Sequence, residues 1–346
     1  MKSLNNYLVT TVLLNSRPRL SGQIECFLHA GIVLLVLCSS VTGVQAQDQN
    51  NPFAWAYPPR QSDDAPAPTT FDDTPHRMPG SEREYVFSDI GRYSPADWHP
   101  ESHPPMPPIV AEGREPVQAC AFCHLANGQG KPENAGLAGL PAVYIVQQMK
   151  DFAAGLRNTS DPTLTTVANM LPFSVNATEA EMLEAANYFA SVTPRKWITV
   201  VEAETVPGTY IASWLYVAHE DGRTEPLGQR ILEMPMDFER TEWRDDSSGF
   251  IAYVPPGSLA RGEALARSGG DGRTLPCSSC HGDDLKGLGP VPGIAGRSPS
   301  YLVRQIYDFR TGSRRGLWSP LMLGVVENLT TAEVIDLVAW VSSLDP

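Results

Sequence analysis

Two short strings of the form Cys-x-x-Cys-His, at 120–124 and 277–281, constrain the fold of this chain more than any other feature. On one helical turn the two cysteines face the same way, so each can form a thioether with a vinyl group of a haem. The adjacent histidine then points a ring nitrogen at the iron from the same side. We therefore expect two covalently bound haem c groups, attached at Cys120, Cys123 and His124 and at Cys277, Cys280 and His281.

The cysteine count narrows the alternatives to this interpretation. Of the six cysteines in the chain, Cys26 and Cys38 fall in a predicted export signal, which leaves the four that belong to the two strings. Disulfides or a zinc site at each string are the alternatives. Haem attachment is favoured because both strings are followed by the same further sequence elements.

The predicted export signal covers residues 1–46. Basic residues precede an apolar run at 27–37, and the segment closes on the small residue Ala46, after which we expect cleavage. The protein is therefore predicted to be periplasmic. An uncleaved N-terminus that holds the protein at the membrane is the alternative, whereas lipidation of Cys38 is disfavoured because Leu37 replaces the small residue expected before it.

The charge balance of the chain is acidic. It contains 26 Lys and Arg against 39 Asp and Glu, a formal net charge of −13. This excess disfavours nucleic acid and suits a protein partner with a basic docking face. We expect redox partner proteins, such as a dehydrogenase or a terminal oxidase.

The sequence after each string repeats. An offset of 157 residues pairs GLAG at 136–139 with GIAG at 293–296, and YIVQQMKDF from Tyr144 with YLVRQIYDF from Tyr301. Five residues are then missing from the second copy, and an offset of 152 aligns Met170 with Met322 and Thr178 with Thr330. A shared offset across several landmarks indicates one fold used twice.

The repeat also indicates a sixth iron ligand for each haem. Methionine sulfur is a usual choice in electron carriers because it raises the reduction potential. Met322 is the only methionine after the second string, and Met170 is its partner by offset. Met149 and Met182 compete in the first copy, but the second copy has Ile306 and Val334 at their positions, and neither side chain can bind iron.

Backbone carbonyls are predicted to orient the two motif histidines. Pro292 can offer a carbonyl to the second nitrogen of His281, and Ala135 takes that position for His124. Four other histidines follow the export signal, and His99 and His103, four apart, could compete for iron or bind a metal. The two prolines beside them argue against a regular helix there.

Segments outside the repeat have other patterns. Residues 47–117 contain fourteen prolines and no sustained periodicity, which predicts an extended arm. Residues 197–257 alternate apolar and polar runs and predict a bridging insert with short strands. Thr178 with Glu181 and Thr330 with Glu333 predict capping boxes, and Ser258 is predicted to cap a helix that starts there.

With these residues in place, the chain resembles the dihaem class I c-type cytochromes of the cytochrome c4 type. The resemblance rests on Cys-x-x-Cys-His, the Pro292–Gly296 loop, the helix from Tyr301, Met322 and a final helix ending near Trp340. In the first copy, Ala135 and Leu125 depart from this pattern. The resemblance implies a mainly α fold with two class I cytochrome c domains in tandem, at 118–196 and 258–346. The arm at 47–117 and the insert at 197–257 lie outside it.

The resemblance and the ligand set favour an electron carrier over an enzyme, because two six-coordinate irons leave no open position for a substrate. Two alternatives remain. One is a dihaem enzyme, of the peroxidase or sulfur-compound dehydrogenase type, with one haem open or bound by His99 or His103. The other is the cytochrome subunit of a dehydrogenase complex.

Overall fold

The structure, a computed structural model, describes residues 51–68 and 70–346. The predicted export signal at 1–46, with its cleavage site after Ala46, lies outside the described residues. Within the described ranges, no helix is both long enough and apolar enough to cross a bilayer.

Helices dominate both halves of the repeat. In chain order they are α1 (Pro108–Ala111), α2 (Cys120–His124), α3 (Ala142–Ala153), α4 (Thr166–Asn176), α5 (Glu179–Ser191), α6 (Phe238–Glu242), α7 (Ser258–Ser268), α8 (Ser278–His281), α9 (Pro299–Thr311), α10 (Ser319–Val326) and α11 (Thr331–Ser343). The series α2 to α5 recurs as α8 to α11, as the repeat predicts. The predicted mainly helical, tandem arrangement is confirmed by this order of helices.

The strands are short and lie mostly between the two halves. They are β1 (Gly113–Arg114), β2 (Val117–Gln118), β3 (Ile198–Glu202), β4 (Thr205–Pro207), β5 (Thr209–Ala212), β6 (Leu215–Ala218), β7 (Thr224–Pro226), β8 (Leu232–Pro235), β9 (Phe250–Val254), β10 (Gly287–Leu288) and β11 (Val291–Pro292). The largest sheet has the order β3-β9-β8, with β3 parallel to β9 and β8 antiparallel to it. Short β structure in the insert is therefore confirmed.

The caps of the closing helices follow from local sequence. The Thr178 hydroxyl accepts from the Glu181 amide and the Glu181 carboxylate accepts from the Thr178 amide; the same exchange joins Thr330 and Glu333. Both predicted capping boxes are confirmed. Each exchange pairs amide groups that a helix start would otherwise leave without a partner.

The predicted cap at Ser258 is wrong. Ser258 is the first residue of α7 and is fully buried, and the N-cap residue is Gly257, whose φ of +77° lies in the left-handed region. The Glu202 carboxylate, at the end of β3, accepts a hydrogen bond of 2.9 Å from the Leu259 amide. A side chain distant in sequence therefore supplies the acceptor that Ser258 was expected to provide.

Apolar cores join the predicted arm to the rest of the protein. Phe53, Ala56 and Tyr57 are buried in the main core, together with residues of the insert and of the second half. Trp98 is fully buried, and its indole nitrogen donates to the Trp243 carbonyl at 2.8 Å. The elements described in 51–68 and 70–117 are short and include 3-10 turns at Ala54–Ala56, Phe87–Asp89 and Pro100–Ser102.

Candidate haem sites

The first Cys-x-x-Cys-His string lies on the wall of a mostly apolar cavity. The space free of protein atoms there is about 1410 Å³, part of it open to solvent. Cys120, Cys123 and His124 come from α2, and Met170 reaches the same cavity from α4. The structure therefore brings together all four residues predicted for the first site, and Met149 and Met182 line this cavity as well.

A backbone hydrogen bond fixes the histidine of this site. The Nδ1 atom of His124 lies 2.8 Å from the Ala135 carbonyl oxygen, as predicted. A carbonyl can only accept, so Nδ1 carries the proton and Nε2 keeps its lone pair for a metal. Burial lowers the pKa of His124, which favours this neutral form.

The turn after α2 has a leucine where the second copy has a glycine. Leu125 has a φ of +64°, and the corresponding Gly282 has a φ of +85°. With a ψ of 158°, Leu125 lies in a region that almost only glycine occupies, at a cost on the order of 1–3 kcal/mol for another residue. Leu125 is almost fully buried in the main core, so its apolar burial offsets that cost.

The second string lines a larger cavity with the same arrangement. About 1680 Å³ is free of protein atoms, and Cys277, Cys280, His281 and Met322 are on its wall. His281 Nδ1 lies 2.7 Å from the Pro292 carbonyl oxygen, which confirms the predicted contact. Among the described residues, Met322 is the only methionine on this wall.

The cysteines of both strings lie in mostly apolar surroundings. No disulfide joins the four cysteines that the structure describes. Burial raises the pKa of Cys120 to about 12 and that of Cys277 to about 11. Within residues 51–68 and 70–346, three metal-binding side chains converge at one place, and it lies at neither string.

A cation on the wall of the second cavity suits a propionate of a haem. Nη1 and Nη2 of Arg297 donate to the Gly136 and Ala138 carbonyls, whereas its Nε atom has no hydrogen-bond partner among the described residues. Burial lowers the pKa of Arg297 to about 10, because a guanidinium is costly without an anion nearby. An apolar cavity, a neutral imidazole and a buried cation together fit a haem.

A reciprocal hydrogen-bond network lies between the two cavities. Arg157 donates to the hydroxyl of Tyr301 at 2.9 Å and to Gln305 at 3.1 Å, and Arg314 donates to the hydroxyl of Tyr144 at 2.8 Å and to Gln148 at 2.9 Å. Each arginine therefore binds the other copy's tyrosine and glutamine, at the same 157-residue offset. Sequence reasoning missed both arginines, although that offset was the signal that could have found them.

The remaining histidines lie elsewhere. Among the described residues, neither His99 nor His103 lines the first cavity. His103 Nε2 lies 3.1 Å from Asp97 Oδ1, and its Nδ1 lies 2.9 Å from the Tyr188 hydroxyl. The structure therefore gives no support to an iron ligand from 99–103.

Curated proteins with sequences similar to this chain include several cytochromes. The cytochrome c-554(548) of Halomonas halodenitrificans is 35% identical over 83 residues, 24% of this chain and 96% of that protein. The "Thiosulfate dehydrogenase electron acceptor" of Thiomonas intermedia is 26% identical over 231 residues, 65% of this chain and 78% of that protein. The cytochrome c4 of Pseudomonas aeruginosa is 22% identical over 240 residues, 68% of this chain and 88% of that protein. No family model matches the chain.

Solved structures give more distant likenesses. A cytochrome c4 of Acidithiobacillus ferrooxidans has a TM-score of 0.42 at 21% identity, over 65% of this chain and 98% of that chain. A thiosulfate dehydrogenase of Marichromatium purpuratum has a TM-score of 0.45 at 25% identity, over 68% of this chain. This chain covers 38% of that second structure's chain.

The repeated helices, the two Cys-x-x-Cys-His cavities and the relatives define an electron-carrying protein with two covalently bound haem c groups. The chain belongs to the class I c-type cytochromes and is a dihaem protein of the cytochrome c4-like type.

Proposed function

We propose that this chain is an exported, periplasmic electron carrier whose two haems each have one histidine and one methionine as axial ligands. The first haem is attached at Cys120 and Cys123, with His124 and Met170 on the iron. The second is attached at Cys277 and Cys280, with His281 and Met322 on the iron.

One observation carries this proposal. Each half brings two cysteines, a histidine held by a carbonyl and an offset-matched methionine to the wall of one apolar cavity. In the first cavity three methionines are available, and the repeat selects Met170, since only its partner is a methionine. We assign Met149 and Met182 to packing of the helices.

Backbone and side-chain groups of the chain itself prepare each site. The carbonyls of Ala135 and Pro292 orient the imidazoles and keep Nδ1 protonated, while the apolar walls exclude water. Arg297 offers positive charge for a propionate. A bound haem c supplies a one-electron change of its iron, and six-coordinate iron leaves no position for a substrate.

Electrons are proposed to pass between the two haems inside the protein. Leu140, Tyr144, Gln148, Tyr301 and Gln305 line both cavities, so one layer of side chains separates them. That layer is held by the reciprocal contacts of Arg157 and Arg314, which fix the spacing of the two halves.

A dehydrogenase is the proposed electron donor. Two relatives carry names of this kind, a thiosulfate dehydrogenase electron acceptor and a cytochrome subunit of sulfide dehydrogenase. The acidic chain suits a donor with a basic docking face. We further propose boundaries of 47–117 for the arm, 118–196 and 258–346 for the two cytochrome domains, and 197–257 for the insert.

The spectrum of the oxidised purified protein tests this function. With both irons six-coordinate, we expect only low-spin haem and an uptake of two electrons per chain in a reductive titration. A high-spin component, together with peroxidase activity or oxidation of a sulfur compound by the chain alone, would instead identify a dihaem enzyme.

A further inference from the structure

A cluster of metal-binding side chains lies outside both haem cavities. The side chains of His99, Asp245 and Asp246 each offer one ligand atom, and these atoms all lie within 4.8 Å of one another. The three residues are 7%, 2% and 1% exposed. His99 comes from the arm at 47–117, and the two aspartates follow α6 in the insert.

One of the two carboxylates is neutralised by protein groups. Asp245 Oδ2 accepts from Arg240 Nε at 2.7 Å, and Asp245 Oδ1 accepts from the Ser247 amide and hydroxyl at 2.8 Å each. This aspartate therefore has a cation and two donors beside it.

The other carboxylate has no hydrogen-bonded donor, and Arg195 beside it donates to the Asp246 backbone carbonyl at 3.3 Å instead. Neither carboxylate oxygen of Asp246 has a hydrogen-bond partner among the described residues, and the same holds for Nε2 of His99. That Nε2 atom lies 3.4 Å from Asp245 Oδ1, while His99 Nδ1 lies 3.5 Å from Glu101 Oε1. A buried, unpaired carboxylate is costly, and proteins usually compensate one with a cation.

We propose that His99, Asp245 and Asp246 bind a divalent cation of the zinc class. One imidazole nitrogen and two carboxylate oxygens form a mixed donor set that suits zinc better than the all-oxygen sites of calcium or magnesium. Water completes the coordination. His103 is not part of the set, because Asp97 and Tyr188 hold its ring.

The position of the cluster suggests what the cation does. It joins the arm to the insert, next to the first haem site. The Asp246 carbonyl accepts from Asn127 Nδ2 at 2.6 Å, close after the first string. Arg244 directly precedes the two aspartates, and its Cζ atom lies 3.7 Å from the centroid of the Phe122 ring. Phe122 is in the first string, between its two cysteines. A cation here would fasten these three parts of the chain together.

Zinc titration of the haem-loaded, tag-free protein, stripped beforehand with a chelator, tests the proposal. We expect calorimetry to show one equivalent of Zn²⁺ bound and the thermal unfolding midpoint to rise on addition. Asp246→Asn and His99→Gln should each weaken binding at least about 10-fold. His219→Gln is the matched control, since His219 lies 3.8 Å from the exposed carboxylate of Asp64 and should leave binding unchanged.

Several outcomes would overturn the proposal. They are the absence of stoichiometric Zn²⁺ binding, binding that both variants retain at full affinity, and Ca²⁺ binding as tight as Zn²⁺ and insensitive to His99→Gln. Unchanged haem spectra confirm that the variants are folded. If Asp246→Asn does not fold, His99→Gln decides the question, because it removes a ligand without altering either carboxylate.

Discussion

The histidines of the two Cys-x-x-Cys-His strings are held in the same way, although the residues that hold them differ. His124 bonds to the carbonyl of Ala135 and His281 to that of Pro292, at 2.8 and 2.7 Å. The backbone oxygen is the acceptor in both, so the proline ring is not needed for the contact itself. An alanine and a proline at this position therefore orient the histidine equally well.

The axial methionines can be tested one at a time. Met170→Ala and Met322→Ala should each remove about half of the far-red sulfur-to-iron charge-transfer band of the oxidised protein, since each removes one of two thioether ligands. Absorption spectroscopy measures the band. Met149→Leu and Met182→Leu are matched controls, because both residues line the first cavity and should leave the band unchanged.

The same variants can contradict the assignment of Met170 and Met322 as iron ligands. If Met182→Leu or Met149→Leu lost half of the band while Met170→Ala kept it, the repeat would have selected the wrong methionine. A full band in Met322→Ala would exclude thioether ligation by the only methionine that the described residues place on the second cavity wall.

Local sequence predicted some elements well and others poorly, and the difference is physical. The capping boxes of α5 and α11 involve residues three apart, so sequence alone specifies them. The start of α7 depends on Glu202, far from Leu259 in the chain, and no local pattern could show that contact. The parallel pairing of β3 with β9 is equally non-local.

The crossing of α7 and α11 depends on a glycine. A Cβ atom at Gly262 would lie 2.0 Å from the Asp336 carbonyl oxygen and 2.9 Å from Trp340 Cβ. Gly262→Ala must therefore separate the two helices, and we expect a loss of about 1–3 kcal/mol in the free energy of unfolding. Chemical denaturation of the haem-loaded protein measures it.

A substitution on the exposed side of the same helix is the control. Ala264 is exposed, so Ala264→Ser should change the free energy of unfolding by less than about 0.5 kcal/mol. Equal effects of Gly262→Ala and Ala264→Ser would mean that the close approach of the two helices does not contribute to stability.

The two halves of the protein are joined by groups that the repeat duplicates. Arg157 and Arg314 each donate to a tyrosine and a glutamine of the other copy. The repeat was visible in the sequence and predicted the tandem helical halves and the candidate ligands. It did not predict the contacts of the two arginines. A repeat shows which residues are equivalent in the two copies, but it does not show which residues contact each other between the copies.

Removal of either arginine tests the joint. Arg157→Met and Arg314→Met should each lower the free energy of unfolding by about 1–3 kcal/mol, because the tyrosine hydroxyl of the other copy loses its charged donor. The oxygens of Gln148 and Gln305 keep the remaining arginine as a donor. Chemical denaturation, followed by the haem absorption of the protein, measures this loss. The neighbouring Arg315 bonds exposed carbonyls, so Arg315→Met should cost less than about 1 kcal/mol. A cost as small for Arg157→Met would show that the halves do not depend on these contacts.

The segments outside the repeat were the hardest to predict. Their composition indicated prolines and short strands, and the structure has short strands in 197–257. It could not show that Trp98 packs against Trp243, or that His99 meets Asp245 and Asp246, because these contacts join positions more than 140 residues apart. Such contacts depend on the fold of the entire chain.

Mass spectrometry of the secreted, denatured protein tests the covalent attachment of two haems, since thioether links survive unfolding. We expect a mass equal to the processed polypeptide plus two haems, and peptides at 120–124 and 277–281 that each carry one. A polypeptide with no haem or with a single haem would contradict it.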